Sequence, residues 1–272
     1  MNKKIKIFDL TEQYKSISKK VNKNILNILK SGQYILGKNV AELEDKFSKF
    51  IGSKYSISCN SGTDALVLSL RALDIGHGDE VITSPFTYFA TAEAIVLVGA
   101  KPVFADIDPR TFNIDYRNIE KYINKRTKAI MPVHLFGQSA EITQIKKLCS
   151  KHRLKLIEDC AQSFGSTKNK KHTGTFGDFG CFSFFPTKNL GCAGDGGMIT
   201  TDSLTKMKKL KKLRNHGGLV RNIHEYIGYN SRLDEIQASI ILAKMEIITN
   251  LDRKRNHIAQ LYRSMIDNKL VT

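Results

Sequence analysis

Apolar positions along the chain follow two rhythms, and each change of rhythm marks a new element. Short apolar runs of strand character lie at 55–59, 80–84, 102–106, 128–133, 154–158, 180–184 and 197–201. Between them, over 64–73, 89–98, 115–123 and 140–151, apolar residues return every three or four positions, which predicts helices. The alternation argues for an α/β sheet with crossover helices. Two helical segments, about 12–30 and 39–50, precede the sheet, and from Arg232 a helix-like pattern runs to about residue 268. Gly194-Asp195-Gly196-Gly197 is expected to turn the chain into the last strand.

Composition narrows the class. The chain has 272 residues, 41% hydrophobic and 25% charged, enough for a sizeable core in one large domain or two small ones. Its 43 Lys+Arg against 26 Asp+Glu give a net charge of +17, which suits an anionic small molecule, a nucleic acid or a membrane surface. The densest basic cluster is Lys206, Lys208, Lys209, Lys211 and Lys212. It alternates with Met207, Leu210 and Leu213 and reads as the wet face of an amphipathic helix. No nucleic-acid-binding signature accompanies it, so no nucleic-acid partner is expected. The longest apolar stretch, 94–100, falls far short of the roughly 20 residues that span a bilayer, and residues 1–6 lead into Asp9 without an apolar run. A soluble, cytoplasmic protein is the expectation. Five cysteines without a C-x-x-C pair suit small buried residues of a reducing compartment, and the seven histidines show no metal-ligand spacing. No metal is expected.

Two strand ends carry the chemistry. Asp159, in Glu158-Asp159-Cys160-Ala161-Gln162-Ser163-Phe164-Gly165, follows an apolar run, at the strand end where open parallel sheets place their ligands. Lys188, in Ser183-Phe184-Phe185-Pro186-Thr187-Lys188-Asn189, follows another and sits in a largely apolar frame. An acid for a ring nitrogen and an amine for a Schiff base are what a pyridoxal phosphate enzyme needs. Asn60-Ser61-Gly62-Thr63 lies between a strand and an apolar helix, where free backbone N–H groups and the helix dipole attract phosphate; the same residues also suit a plain N-cap. Taken singly, Asp159 and Lys188 are as ordinary as a capping acid and a surface lysine, and their joint placement beside that cradle and the aromatic run 85–89 sets them apart. Gly32 to Lys38 satisfies G-x-x-x-x-G-K, but Asn39 stands where a nucleotide loop needs Ser or Thr, and a helix rather than a strand precedes it. His134, at another strand end, reads as a structural, hydrogen-bonded histidine.

With these motifs in order, the chain resembles the DegT/DnrJ/EryC1 sugar aminotransferases. The resemblance spans GQYILG (32–37), NSGTDAL (60–66), PFTYFAT (85–91), GAKPVFADID (99–108), EDCAQSFG (158–165), SFFPTKN (183–189), GDGGM (194–198) and NSRLD (230–234). It implies an aspartate aminotransferase-like large domain, a mostly parallel seven-stranded sheet between helices, over 1–235. Residues 236–272 would then be the leading helix of a C-terminal small domain that the chain largely lacks. The resemblance makes Lys188 the lysine that carries pyridoxal 5'-phosphate and Asp159 the partner of its ring nitrogen. Tyr88 would lie against the ring, Gln162 would bond the ring hydroxyl, and Gly62, Thr63 and Ser183 would hold the phosphate together with Asn230 from a second copy. Arg232 would meet an anionic substrate. The implied reaction moves an amino group from an amino acid, glutamate first, to a keto nucleotide sugar. UDP-2-acetamido-2-deoxy-3-keto-glucuronate, in surface-polysaccharide synthesis, is the leading candidate, and other UDP- or dTDP-ketosugars are alternatives. A homodimer follows from Asn230. Dehydratases that resemble these enzymes carry histidine in place of the lysine, so Lys188 argues against that activity, while a cofactor-binding regulatory module stays open.

Overall fold

The computed structural model describes residues 9–268; the expectation about residues 1–6 and the last four residues of the chain lie outside it. All seven expected strands form, and they join one sheet. They are β1 (Tyr55–Cys59), β2 (Glu80–Thr83), β3 (Lys101–Phe104), β4 (Thr127–Ile130), β5 (Lys155–Asp159), β8 (Phe179–Ser183) and β9 (Gly197–Thr201). A small hairpin of β6 (Thr167–Lys168) and β7 (Lys171–His172) stands apart. The sheet order is β1-β9-β8-β5-β4-β2-β3, parallel throughout except that β9 runs against both of its neighbours. Both faces are covered, so the central strands read as apolar runs instead of alternating with polar residues. Along β8, Phe179 and Cys181 enter one core with Leu66, Leu68 and Ile95, and Phe182 and Phe184 enter another with Phe47 and Ile241.

The helices are α1 (Thr11–Ser31), α2 (Lys38–Ile51), α3 (Gly62–Ala72), α4 (Ala90–Leu97), α5 (Tyr116–Ile119), α6 (Ile142–His152), α7 (Leu204–Leu213), α8 (Glu235–Met245) and α9 (Ile248–Met265). The lysine cluster falls on α7 as its pattern implies, with Leu210 and Leu213 buried. The long C-terminal pattern is not one helix. It breaks at Glu246–Ile247, where the chain turns Ile248 into the core shared with Phe47 and Ile241. Neither Gly nor Pro marks that break. The core runs on past residue 235, because Ala238, Ile241 and Leu242 of α8 pack with the residues of α2 and β8.

The nucleotide-loop look-alike has an internal explanation. Glu235, from the first turn of α8, fills the N-terminus of α2: its carboxylate accepts from Asn39 N and Val40 N, both at 2.9 Å, and from Asn39 Nδ2 at 2.7 Å. A methyl group on Gly37 would lie 2.9 Å from the Glu235 carboxylate carbon. The anion that this helix end attracts is already part of the chain.

Candidate active site

Loops at the carboxyl ends of β1, β2, β4, β5 and β8 enclose a cavity of about 440 Å³. The loop after β1 supplies Ser61, Gly62 and Thr63, where α3 begins; Ser61 Oγ accepts from Asp64 N at 3.0 Å. Ahead of that capped N–H, Gly62 and Thr63 have no N–H acceptor within their own helix and line the cavity at the positive end of the dipole. Two close approaches fix this loop. A methyl on Gly62 would lie 2.6 Å from Ser183 Cβ, and one on Gly197 would lie 2.2 Å from Ser61 O, so β8 and β9 touch the loop through glycine.

Asp159 ends β5 on the α3 side of the sheet. It is buried, and its two oxygens are held separately: Oδ2 accepts from Thr91 Oγ1 at 2.8 Å and Oδ1 from Ala161 N at 3.1 Å. Thr91 is paired in turn with Thr87 at 2.9 Å. Burial pushes the Asp159 carboxyl above its ordinary range, and the Ala161 and Thr91 hydrogen bonds and the charge of Lys188 oppose it. Lys188 follows β8 in a turn closed by its own N–H to Phe185 O at 2.8 Å. Desolvation pulls its amine below the ordinary lysine value, against the pull of Asp159. An amine whose charged form is disfavoured by burial and an acid in reach of its field now share one cavity.

The remaining lining residues complete the set. Tyr88 lines the cavity and is 74% exposed, Ser183 lines it beside Gly62, and Gln162 enters from the loop after β5. Gln162 Oε1 accepts from Phe136 N at 2.8 Å. Asn230 and Arg232 do not line this cavity: Asn230 is exposed in a bridge to Asn215, and Arg232 Nη1 donates to Asn215 Oδ1 at 3.0 Å.

The acid beside Asp159 points to the opposite face of the sheet. Glu158 is fully buried and accepts from His134 Nε2 at 3.0 Å, Gly174 N at 2.9 Å, Phe176 N at 2.7 Å and Gly177 N at 2.8 Å. His134 Nδ1 accepts from Ala140 N at 3.1 Å, which leaves the proton on Nε2. His134 is thus structural, as its sequence setting implies, and its backbone N–H donates to Asp159 O at 3.0 Å. Glu158, His134 and Cys160 lie close enough to suggest a metal site. Their ring nitrogens and carboxylate oxygens already serve these hydrogen bonds. Thr91, which holds Asp159, stands in the run 85–91, three residues after Tyr88, but a threonine in a helix start carries no signal of that role in the sequence.

A doubly wound α/β scaffold with a desolvated lysine and a buried acid at the ends of adjacent parallel strands defines a fold-type I pyridoxal phosphate enzyme. The chain belongs to the DegT/DnrJ/EryC1/StrS aminotransferase family, whose model matches residues 15–270. It is 47% identical, over 95% of its length and 72% of the relative's, to UDP-2-acetamido-2-deoxy-3-oxo-D-glucuronate aminotransferase of Pseudomonas aeruginosa. It is 46% identical, over 96% of its length and 71% of the relative's, to UDP-N-acetyl-3-dehydro-alpha-D-glucosamine 3-aminotransferase of Acidithiobacillus ferrooxidans. Among solved structures it is similar to DesV of S. venezuelae in complex with a ketimine intermediate, with a TM-score of 0.93 at 36% identity over 96% of this chain and 70% of that one.

Proposed function

We propose that the protein moves an amino group from an amino acid, glutamate first, to the keto group of a nucleotide sugar, with pyridoxal 5'-phosphate carried on Lys188. The observation behind this reading is the convergence of Lys188, Asp159 and the α3 N-terminus on one cavity. Pyridoxal phosphate, when bound, supplies an aldehyde that takes up amines and a ring that accepts the electrons released when a C–H bond breaks.

The donor set suits that group at each point. Gly62 and Thr63 N–H, with Ser183, would meet the phosphate; the glycine contact with Ser183 leaves backbone where a side chain would intrude. Asp159 would stay ionised against a protonated ring nitrogen, its charge held by Thr91 and Ala161. Tyr88 would cover the ring face and Gln162 would bond the ring oxygen. Lys188 has two tasks. Its amine, in the neutral form that burial favours, would hold the aldehyde, and once displaced its Nζ would carry a proton away from the donor carbon and later return one to the product carbon.

The acceptor class comes from the relatives named above, both of which act on UDP sugars with an oxidised C3. UDP-2-acetamido-2-deoxy-3-keto-glucuronate, used for a surface polysaccharide in the cytoplasm, is the leading substrate. Arg232 would meet its negative charge, and Asn230 would reach the phosphate of a second copy in a homodimer. Residues 1–235 would form the cofactor domain and residues 236–272 the lead into a second unit, with α8 packed into the first. Among the described residues no helix is long and apolar enough to cross a membrane.

Two half-reactions test the reading. With pyridoxal phosphate and glutamate, the protein is expected to release 2-oxoglutarate and lose its visible absorption band; the reduced form should then aminate one of a panel of UDP- and dTDP-ketosugars. A band that ignores glutamate would leave a cofactor-binding module without transfer activity.

A further inference from the structure

The turn between β4 and α6 contains a strained residue that the chemistry above does not use. Phe136 has φ 55° and ψ 20°, a left-handed conformation that bulky residues rarely adopt. Its ring is 72% exposed, so burial does not offset the strain. The surroundings over-determine this backbone. Leu135 N donates to Asn113 Oδ1 at 3.0 Å, Asn113 Nδ2 to Gln138 O at 3.2 Å and Ser166 Oγ to Gly137 O at 2.6 Å. On the upstream side His134 is pinned between Ala140 N and Glu158. The visible result is a direction: the Phe136 N–H points at Gln162 Oε1, 2.8 Å away.

We infer that Phe136 is a positioning residue that fixes which end of the Gln162 amide faces the cavity. With Oε1 engaged, the amide offers its NH2 group, so Gln162 can only donate to a ligand. A ligand oxygen beside it must accept, and an ionised oxygen gains most from that contact. The inference rests on the proposed function for the identity of this oxygen, the ring hydroxyl of the cofactor in its ionised form. Lys188, Asp159, Tyr88 and Asp195 share the cavity, and His134 and Glu158 stand behind the turn. All of them are unchanged in the variants below.

Two measurements separate the inference from the functional reading. In the cofactor-free protein, hydrogen exchange at the Phe136 amide should be roughly tenfold slower than in a Gln162→Leu variant, because the side-chain hydrogen bond is its protection. In the loaded protein, the pH midpoint of the visible band should rise by about one unit in Gln162→Leu, the shift that a tenfold loss of preference for the ionised oxygen produces. It should rise further in Gln162→Glu, which turns an oxygen toward the ligand. Phe136→Gly keeps the donor, suits a positive φ and should hold the wild-type midpoint. Equal exchange in wild type and Gln162→Leu, or a midpoint unmoved by both Gln162 variants, overturns the inference. If no visible band forms with pyridoxal phosphate, the functional reading fails, and the exchange measurement alone decides the role of Phe136.

Discussion

Lys188 stands in a setting that opposes its charge, and that opposition has a cost in the empty protein. Burial lowers its proton affinity in the folded state, whereas the unfolded chain binds the proton with the ordinary value of 10.5. Between its lowered folded-state value and 10.5 the unfolded state therefore holds more protons at this position; the cost is fully present below that window and fades as the pH rises through it. Lys188→Met removes the charge at similar volume. The cofactor-free variant is expected to melt above wild type at pH 7, with the gap closing as the pH approaches 10. A variant that melts below wild type at pH 7 would show that the amine is well solvated or paired. Asp159 carries the opposite burden and spreads it over Thr91 Oγ1, Ala161 N and the field of Lys188. Of these helpers, the sequence displays Lys188 plainly. Thr91 becomes legible only when the helix after Tyr88 is placed against the end of β5.

At the scale of elements, the strands were legible because each is a short apolar run bounded by turn residues. What the sequence hid has two causes: an element too short and polar to show a period, or a deciding contact distant in the chain. The hairpin of β6 and β7 is made of two polar residues a side and has no apolar period to detect. The break between α8 and α9 follows from packing of Ile248 against the core around Phe47 and leaves no Gly or Pro behind. The start of α2 is a third case, for its cap comes from Glu235 and not from a neighbouring Ser, Thr or Asp. That carboxylate is buried and satisfies two backbone donors and one amide. Glu235→Ala is expected to destabilise the protein by about 2–3 kcal/mol, the loss of buried hydrogen bonds to a charged group together with a helix cap. Glu235→Gln, which keeps one acceptor, should lose less. Urea unfolding midpoints of the three proteins check the order, and an Ala variant as stable as wild type would mean that water replaces the carboxylate at that helix end.

For the whole molecule, the placement of Asn230 sets the question of assembly. Its segment is anchored to the phosphate cradle of its own chain: Ser231 Oγ donates to Asp64 Oδ2 at 2.6 Å and accepts from Asn60 N at 3.2 Å. Asn230 itself is exposed and outside its own cavity. Exposed apolar side chains gather in two groups, Phe86, Tyr88 and Phe89 in a loop beside the cavity and Leu219, Val220, Ile223 and Ile227 in the loop that leads to Asn230. A second copy that covers both groups would bring Asn230 of one chain to the cavity of the other. A phosphate with nearly two negative charges gains from donors on both chains. Under the proposed homodimer, Lys188→Ala and Asn230→Ala disable different parts of a site. Mixed and allowed to exchange subunits, the two inactive variants are expected to regain activity. In each hybrid dimer one site combines the intact Lys188 of one chain with the intact Asn230 of the other, so about half the dimers carry one working site in two. Native mass spectrometry of the mixture would establish that exchange has taken place. Hybrids that form and stay inactive would mean that Asn230 serves its own chain or has no part in cofactor binding.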